Sequence, residues 1–397
     1  MKISVFDNLL TTEQREGRAH AIFDLAIGYP VLPVQEYIEE HLSLWVRQSL
    51  SRSSLAQTGP WRGAEPSVLL NDAISKIIDI PEEFRRFIEV TFSGSIAVQR
   101  SVVATQRIAK DRGFNKVKYI LLEPCVDFYR SILSELSVDY VSISRTTSDG
   151  ESDWVSLIFE ELKKISSQDG VMPVLMLDSP SNPEGIIAST DQMNSVMNRL
   201  NEHKGLLLAD HCFAVAGVHD PKKTTFAFSG PSPRCEWISI WDTGKTFDLN
   251  GDKIGVLISS SEYVHNFVLS ALETIQVTPA GRDLLFFSQF LSHPIADELI
   301  NVLNVESTKN CNFLEKITSE SNFVKPAGGT FAMLTLEGSS LSSIETRRIL
   351  LSRGLAVASG ASFRTDRRDD PKFIRISFAR PHEVFVEASS RLFPIPQ

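Results

Sequence analysis

SIWDTGKTFDLNGDKIGVLISS, residues 239–260, places Lys245 on a short connection between two apolar runs, with a second lysine, Lys253, eight residues further on. The flanking runs, 238–241 and 255–258, read as buried strands because they are short, apolar and rich in β-branched residues. A primary amine on a loop between buried strands is the arrangement needed to hold an aldehyde group as an imine.

Outward from that stretch, strand-like runs alternate with helical periodicity from about residue 88. The strands are expected at 88–92, 118–122, 140–143, 174–177, 206–209, 238–241 and 255–258, with amphipathic helices such as 96–110, 156–165 and 190–201 between them. This alternation predicts an α/β fold with a mainly parallel, seven-stranded sheet. From roughly 284 the chain turns helical, and 328–336, 354–358 and 373–379 read as strands of a smaller α+β unit. The expected organisation is an N-terminal segment, 1–45, a large domain, 46–289, and a small C-terminal domain, 290–397. Pro30 and Pro33 interrupt the N-terminal segment, which reads either as an arm over the site or as part of the smaller unit.

Composition narrows the function classes. In 397 residues, 42% are apolar, enough for a full core, and 40 basic against 49 acidic residues give a net charge of −9. No long run of one sign suits nucleic acid or anionic lipid, and no eighteen apolar residues run together. A cytoplasmic protein without nucleic-acid or membrane partners is expected. Cys125, Cys212, Cys235 and Cys311 are scattered, so neither a disulfide framework nor a metal site is expected.

Three further strand ends carry complementary chemistry. The run 206–209 ends at Asp210, and in open α/β sheets ligands bind at the carboxyl ends of strands. The run 174–177 leads into DSPSNPEG (178–185), a turn-rich segment presenting Asn182. The run 88–92 leads into Ser93, Gly94 and Ser95 and then a helix, whose amino end offers N–H groups, two hydroxyls and a positive dipole end to an anion.

In order and content these motifs resemble the fold-type I pyridoxal-phosphate enzymes of the class I/II aminotransferase family, over about 88–379. The resemblance implies pyridoxal 5'-phosphate as cofactor. It assigns Ser93, Gly94 and Ser95 to the phosphate, Asn182 to the ring oxygen, Asp210 to the pyridine nitrogen and Lys245 to the Schiff base. Lys253 falls where the family has a phosphate-binding arginine, Phe213 where it has a tyrosine, and Thr278 is assigned to the phosphate across a dimer interface. Arg375, in FIRISFARP, falls where the substrate α-carboxylate is clamped, and PAGGTF (326–331) matches a small-domain segment. The implied protein is a homodimeric enzyme that transforms an amino acid through an external aldimine and a quinonoid, with Lys245 and Asp210 catalytic.

Departures from that pattern point away from a housekeeping transaminase and toward natural-product biosynthesis. Asp242 replaces a serine three residues before the lysine, Phe213 lacks a hydroxyl, and EPCVDFYR leaves Phe128 or Tyr129 to stack on the ring. DTGK with a lysine at plus eight is also similar to the oxygen-dependent arginine oxidases and hydroxylases. Their Asp–Gly–His element is met here by LAIGYP (25–30), with Ile27 and Tyr29 in place of the acid and the histidine. Tyr29 and Asp242 are accordingly candidate substrate contacts, and γ-elimination or replacement on an S-adenosylmethionine-like substrate is a further alternative.

Each residue also has a plainer reading: Lys245 and Arg375 as surface charges, Asn182 as a turn residue, Asp210 as a helix cap. His211 reads as structural and Trp61 as a core or interface residue. GKT at 244–246 mimics a nucleotide-binding loop, but Ser239 stands where that loop needs glycine. A non-catalytic regulator would need an added basic module, for which the chain has no room.

Overall fold

The computed structural model describes residues 23–31, 41, 43–48, 65–145, 153–218, 226–229, 235–249, 251–276, 280–318, 323, 325–336, 339–364 and 372–392. Its centre is a seven-stranded sheet built from β2 (Ile88–Thr91), β3 (Lys116–Glu123), β4 (Asp139–Ser144), β5 (Val171–Asp178), β6 (Leu206–Asp210), β7 (Glu236–Asp242) and β8 (Gly255–Ser259). The order across the sheet is β2-β8-β7-β6-β5-β3-β4. All pairs are parallel except those of β8, which runs antiparallel to both β7 and β2. All seven expected strands lie in this sheet.

The inner strands are buried because both faces are covered, whereas the edge strand β4 is only partly buried. In β5, Leu175 and Leu177 face one core and Met172, Val174 and Met176 the other; in β6, Leu207 and Ala209 oppose Leu206 and Leu208. The helices Gly94–Asp111, Asp127–Glu135 and Glu262–Glu273 cover one face, and Trp154–Ser166 and Thr190–Glu202 the other. Helix Thr190–Glu202 opens with a reciprocal capping box between Ser189 and Gln192, a device worth about 1 kcal/mol.

A smaller antiparallel sheet, β11 (Ala358–Ser359), β12 (Phe373–Ser377) and β9 (Phe331–Thr335), forms the second unit with its own core of Leu334, Leu350, Ile374, Ile376 and Phe385. The short β1 (Phe23–Asp24) pairs in parallel with β10 (Leu355–Ala356), which brings residues 23–24 alongside that unit. No helix of the described residues is long and apolar enough to cross a membrane.

Parallel strands all deliver their carboxyl ends to one side. Asp178 and Asp210, the last residues of β5 and β6, are paired in register, and β7 ends beside them at Asp242. Gly255 is paired with both Thr91 and Asp242, and a Cβ there would meet the Ser93 carbonyl at 2.3 Å. The absent side chain lets the turn after β2 settle against β8, so that the helix from Gly94 begins beside Asp242.

Candidate active site

The turn after β5 is built on a buried ion cluster. Arg145 donates to Asp178 and Glu184, both at 2.7 Å, and the second oxygen of Asp178 accepts the N–H of Asn182 at 2.9 Å. Burial opposes the Arg145 charge and pushes the Glu184 carboxyl up, but Asp178 and Glu184 together hold the guanidinium protonated. Removing one member of such a cluster leaves a buried charge unpaired, at a cost of about 3–5 kcal/mol. The cluster is what aims Asn182 into the cleft.

At the end of β6, Asp210 accepts the Tyr129 hydroxyl at 2.6 Å and the Cys212 N–H at 2.9 Å. Burial pushes its carboxyl above the ordinary range, against the opposing pull of those two donors. Burial, and then the Asp210 charge, hold the Tyr129 hydroxyl protonated. The neighbouring His211 turns into the protein, with Nδ1 3.0 Å from the Ser179 carbonyl and Nε2 accepting the Ala227 N–H at 3.1 Å. Burial lowers it to about 4, so it is a neutral tie between loops.

Lys245 sits in the single helical turn Thr243–Thr246 that follows β7. Its Nζ lies 3.7 Å from the centroid of the Tyr29 ring and 5.6 Å from that of Phe213. Lys253 Nζ donates to the Tyr29 hydroxyl at 3.2 Å. The charge of Lys245, with help from Lys253, lowers the Tyr29 phenol against the effect of burial. Asp242 is buried, and its carboxylate accepts two N–H groups at 2.7 Å each, from Gly244 at the turn carrying Lys245 and from Gly94 at the start of the long helix. Ser93 caps that helix by accepting the Ile96 N–H at 3.3 Å.

On β12, Arg375 is buried between the rings of Phe331 and Phe363. It donates to Asn182 Oδ1 at 2.8 Å and to the Ala26 carbonyl. Its Nε has no partner and, among the described residues, no carboxylate forms an ion pair with it. Burial lowers it to about 10, outweighing the attraction of Asp24 and Asp127, as expected of a desolvated cation without a directly bonded carboxylate. Four residues beyond β12's Ile376, Arg380 donates to the carbonyls of Asp24, Ile27 and Tyr29, at 2.9, 3.0 and 2.6 Å. Arg380 thereby holds residues 24–29, of which Gly28 and Tyr29 line the cavity.

The result is one cavity of about 270 Å³ lined by Gly94, Ser95, Asn182, Asp210, Phe213, Asp242, Lys245, Lys253 and Arg375, with Tyr29 above. Phe213 contributes a ring set edge-on to Phe331. Phe128 lines the wall, whereas Tyr129 uses its hydroxyl on Asp210. Thr278 and Trp61 lie outside the described residues. Sequence reading missed three side chains, Tyr129 as the donor to Asp210, Arg145 beneath the Asn182 turn and Arg380 beneath Tyr29.

The aminotransferase class I and II family model matches residues 149–392, more than half of the chain. The aromatic-amino-acid aminotransferase 2 of Thermococcus litoralis is 22% identical over 225 residues, and the asparagine–oxo-acid transaminase of Streptococcus mutans is 22% identical over 232. Each alignment covers 55% of this chain and 56% of the relative, so the chain spans about half the length of the curated relatives it matches. A solved structure of YbdL from Escherichia coli, described as having a methionine aminotransferase function, superposes with a TM-score of 0.78 at 16% identity, over 99% of this chain and 97% of that one.

Proposed function

From the premise that the chain belongs to the aminotransferase class I and II family, we propose that it is a pyridoxal-phosphate enzyme that moves the amino group of an amino acid. The observation that carries this reading is the convergence on one cavity of Lys245, Asp210 and Asn182, from the ends of β7, β6 and β5, with Arg375 from the middle of β12. The donor set fits the cofactor. A lysine amine without a hydrogen-bond partner among the described residues faces a buried carboxylate and a guanidinium whose Nε is unmet.

When bound, pyridoxal phosphate supplies an aldehyde and an electron-accepting ring. Lys245 Nζ would hold the aldehyde carbon covalently and, once displaced, move the proton at the substrate's α-carbon. Asp210, fixed by Tyr129, would keep a proton on the ring nitrogen. Asn182 would meet the ring oxygen, and Ser95 and Lys253 the phosphate. Arg375 would grip the α-carboxylate through two parallel hydrogen bonds, a planar match that also fixes the α-carbon. Phe128, Phe213 and Tyr29 line that space and would exclude water from it.

The same reading includes a homodimer, which would cover the exposed apolar side chains Val68, Leu69 and Phe92. Asp242, Phe213 and Lys253 at the cofactor end support a specialised biosynthetic role over a housekeeping one. The test is mass spectrometry of borohydride-reduced protein, with a pyridoxyl group expected on Lys245. Incubation with an amino-acid panel, S-adenosylmethionine included, and 2-oxo acids should then yield the matching keto acid. A reduced protein with no modified Lys245 would sink the reading.

A further inference from the structure

The amino end of the helix Gly94–Asp111 already holds an anion, and it is the protein's own. Asp242 Oδ2 accepts the Gly94 N–H at 2.7 Å, and the buried carboxylate lines the cavity between Gly94 and Lys245. The contact is tight, since a Cβ on Gly94 would stand 2.7 Å from Asp242 Oδ2. The other oxygen, Oδ1, holds the Gly244 N–H of the turn that presents Lys245. One carboxylate therefore spans the helix start and the lysine turn, through donors that would otherwise face a phosphate. Resting on the proposed function, we propose that Asp242 is an internal competitor for the cofactor's phosphate group and sets how strongly this site prefers a phosphorylated aldehyde.

The reasoning is electrostatic. A phosphate entering beside Asp242 either displaces the carboxylate from the Gly94 N–H or settles next to a like charge on the Ser95 and Lys253 side. Both cost affinity that a neutral hydroxyl in that position would not. A ligand with the same ring and aldehyde but no phosphate meets neither penalty. The effect is thus confined to one group of the cofactor, a pattern that general loosening of the fold cannot produce.

Full-length protein freed of cofactor is titrated with pyridoxal phosphate and, separately, with pyridoxal, following long-wavelength absorbance and tryptophan fluorescence. In the unmutated protein the two dissociation constants are expected within about tenfold of each other. A preference of about a hundredfold or more for the phosphorylated form overturns the proposal. In Asp242→Ser, pyridoxal phosphate should tighten by about tenfold or more while pyridoxal stays within about twofold. Asp242→Asn, which removes the charge and keeps an acceptor, should fall between. Equal gains for both aldehydes, or weaker binding of the phosphate form in both variants, also overturn it. Absence of any reducible adduct in wild type and variants alike defeats the cofactor reading itself, and the proposal with it.

Discussion

The two ends of the cavity meet anions in opposite ways. At the Arg375 end, a buried guanidinium stands between aromatic rings with one nitrogen unmet and, among the described residues, no acid bonded to it. At the Asp242 end, the helix amino terminus and two lysines form a basic cup, yet a carboxylate already occupies the Gly94 N–H. Both ends look cationic when residue types are counted. Only the hydrogen-bond pattern shows that one end lacks an anion and the other contains one.

The largest effect should come from between the two ends. Lys245→Ala should lower turnover by about 10²–10⁴-fold, the usual worth of a positioned acid–base group, and leave no reducible adduct. Activity retained at wild-type level would remove the common element on which both ends act.

Next is Arg375→Leu, which tests whether that end awaits an anion. KM for amino acids should rise about a hundredfold, as when one partner of a buried charge pair is removed. The urea midpoint of the cofactor-free protein should fall only slightly, because losing the hydrogen bonds to Asn182 and Ala26 is offset by removing a buried charge that no carboxylate bonds among the described residues. A loss of about 3–5 kcal/mol in stability would make Arg375 structural, and the contrast with Asp242 would collapse.

Arg380→Ala should cost about 2–3 kcal/mol by denaturant titration, since three carbonyls of the N-terminal segment lose a charged donor. Amide hydrogen exchange at residues 24–29 should quicken most. Unchanged exchange there would show that β1 pairing alone holds the roof.

The smallest effect belongs to Tyr29→Phe. Lys245 lowers the Tyr29 phenol, so the folded state favours the phenolate. That stabilisation is fully present above the unfolded tyrosine range near pH 10, and is lost as pH falls through the lowered folded value. The phenylalanine variant should therefore lack a small rise in stability on the alkaline side. A pH titration at tyrosinate wavelengths should also lose its earliest-ionising component.

What sequence could show follows the range over which its signals act. The seven strands and the helices between them were legible because burial on both faces writes apolar runs of the right length, as in Val171–Asp178. Strand-end aspartates and the lysine turn were legible as local motifs. The supporting partners were not. Arg380 reaches carbonyls 351–356 positions away, and Tyr129 reaches Asp210 across 81. Such pairings are made by the fold and leave no periodicity behind. Asp242 stood out as a departure from a family pattern, but the N–H it would take depended on Gly255, a residue whose importance is its missing side chain.

Arg380 carries a consequence for the order in which the protein matures. Tyr29 is among the first of the described residues to leave the ribosome, and the guanidinium that fastens its carbonyl comes 351 positions later. A nascent chain already displaying Lys245 has no cover over it until that arginine emerges and the smaller sheet closes. On the proposed reading, stable capture of the vitamin would then follow synthesis, and truncated products would leave the amine open to stray aldehydes.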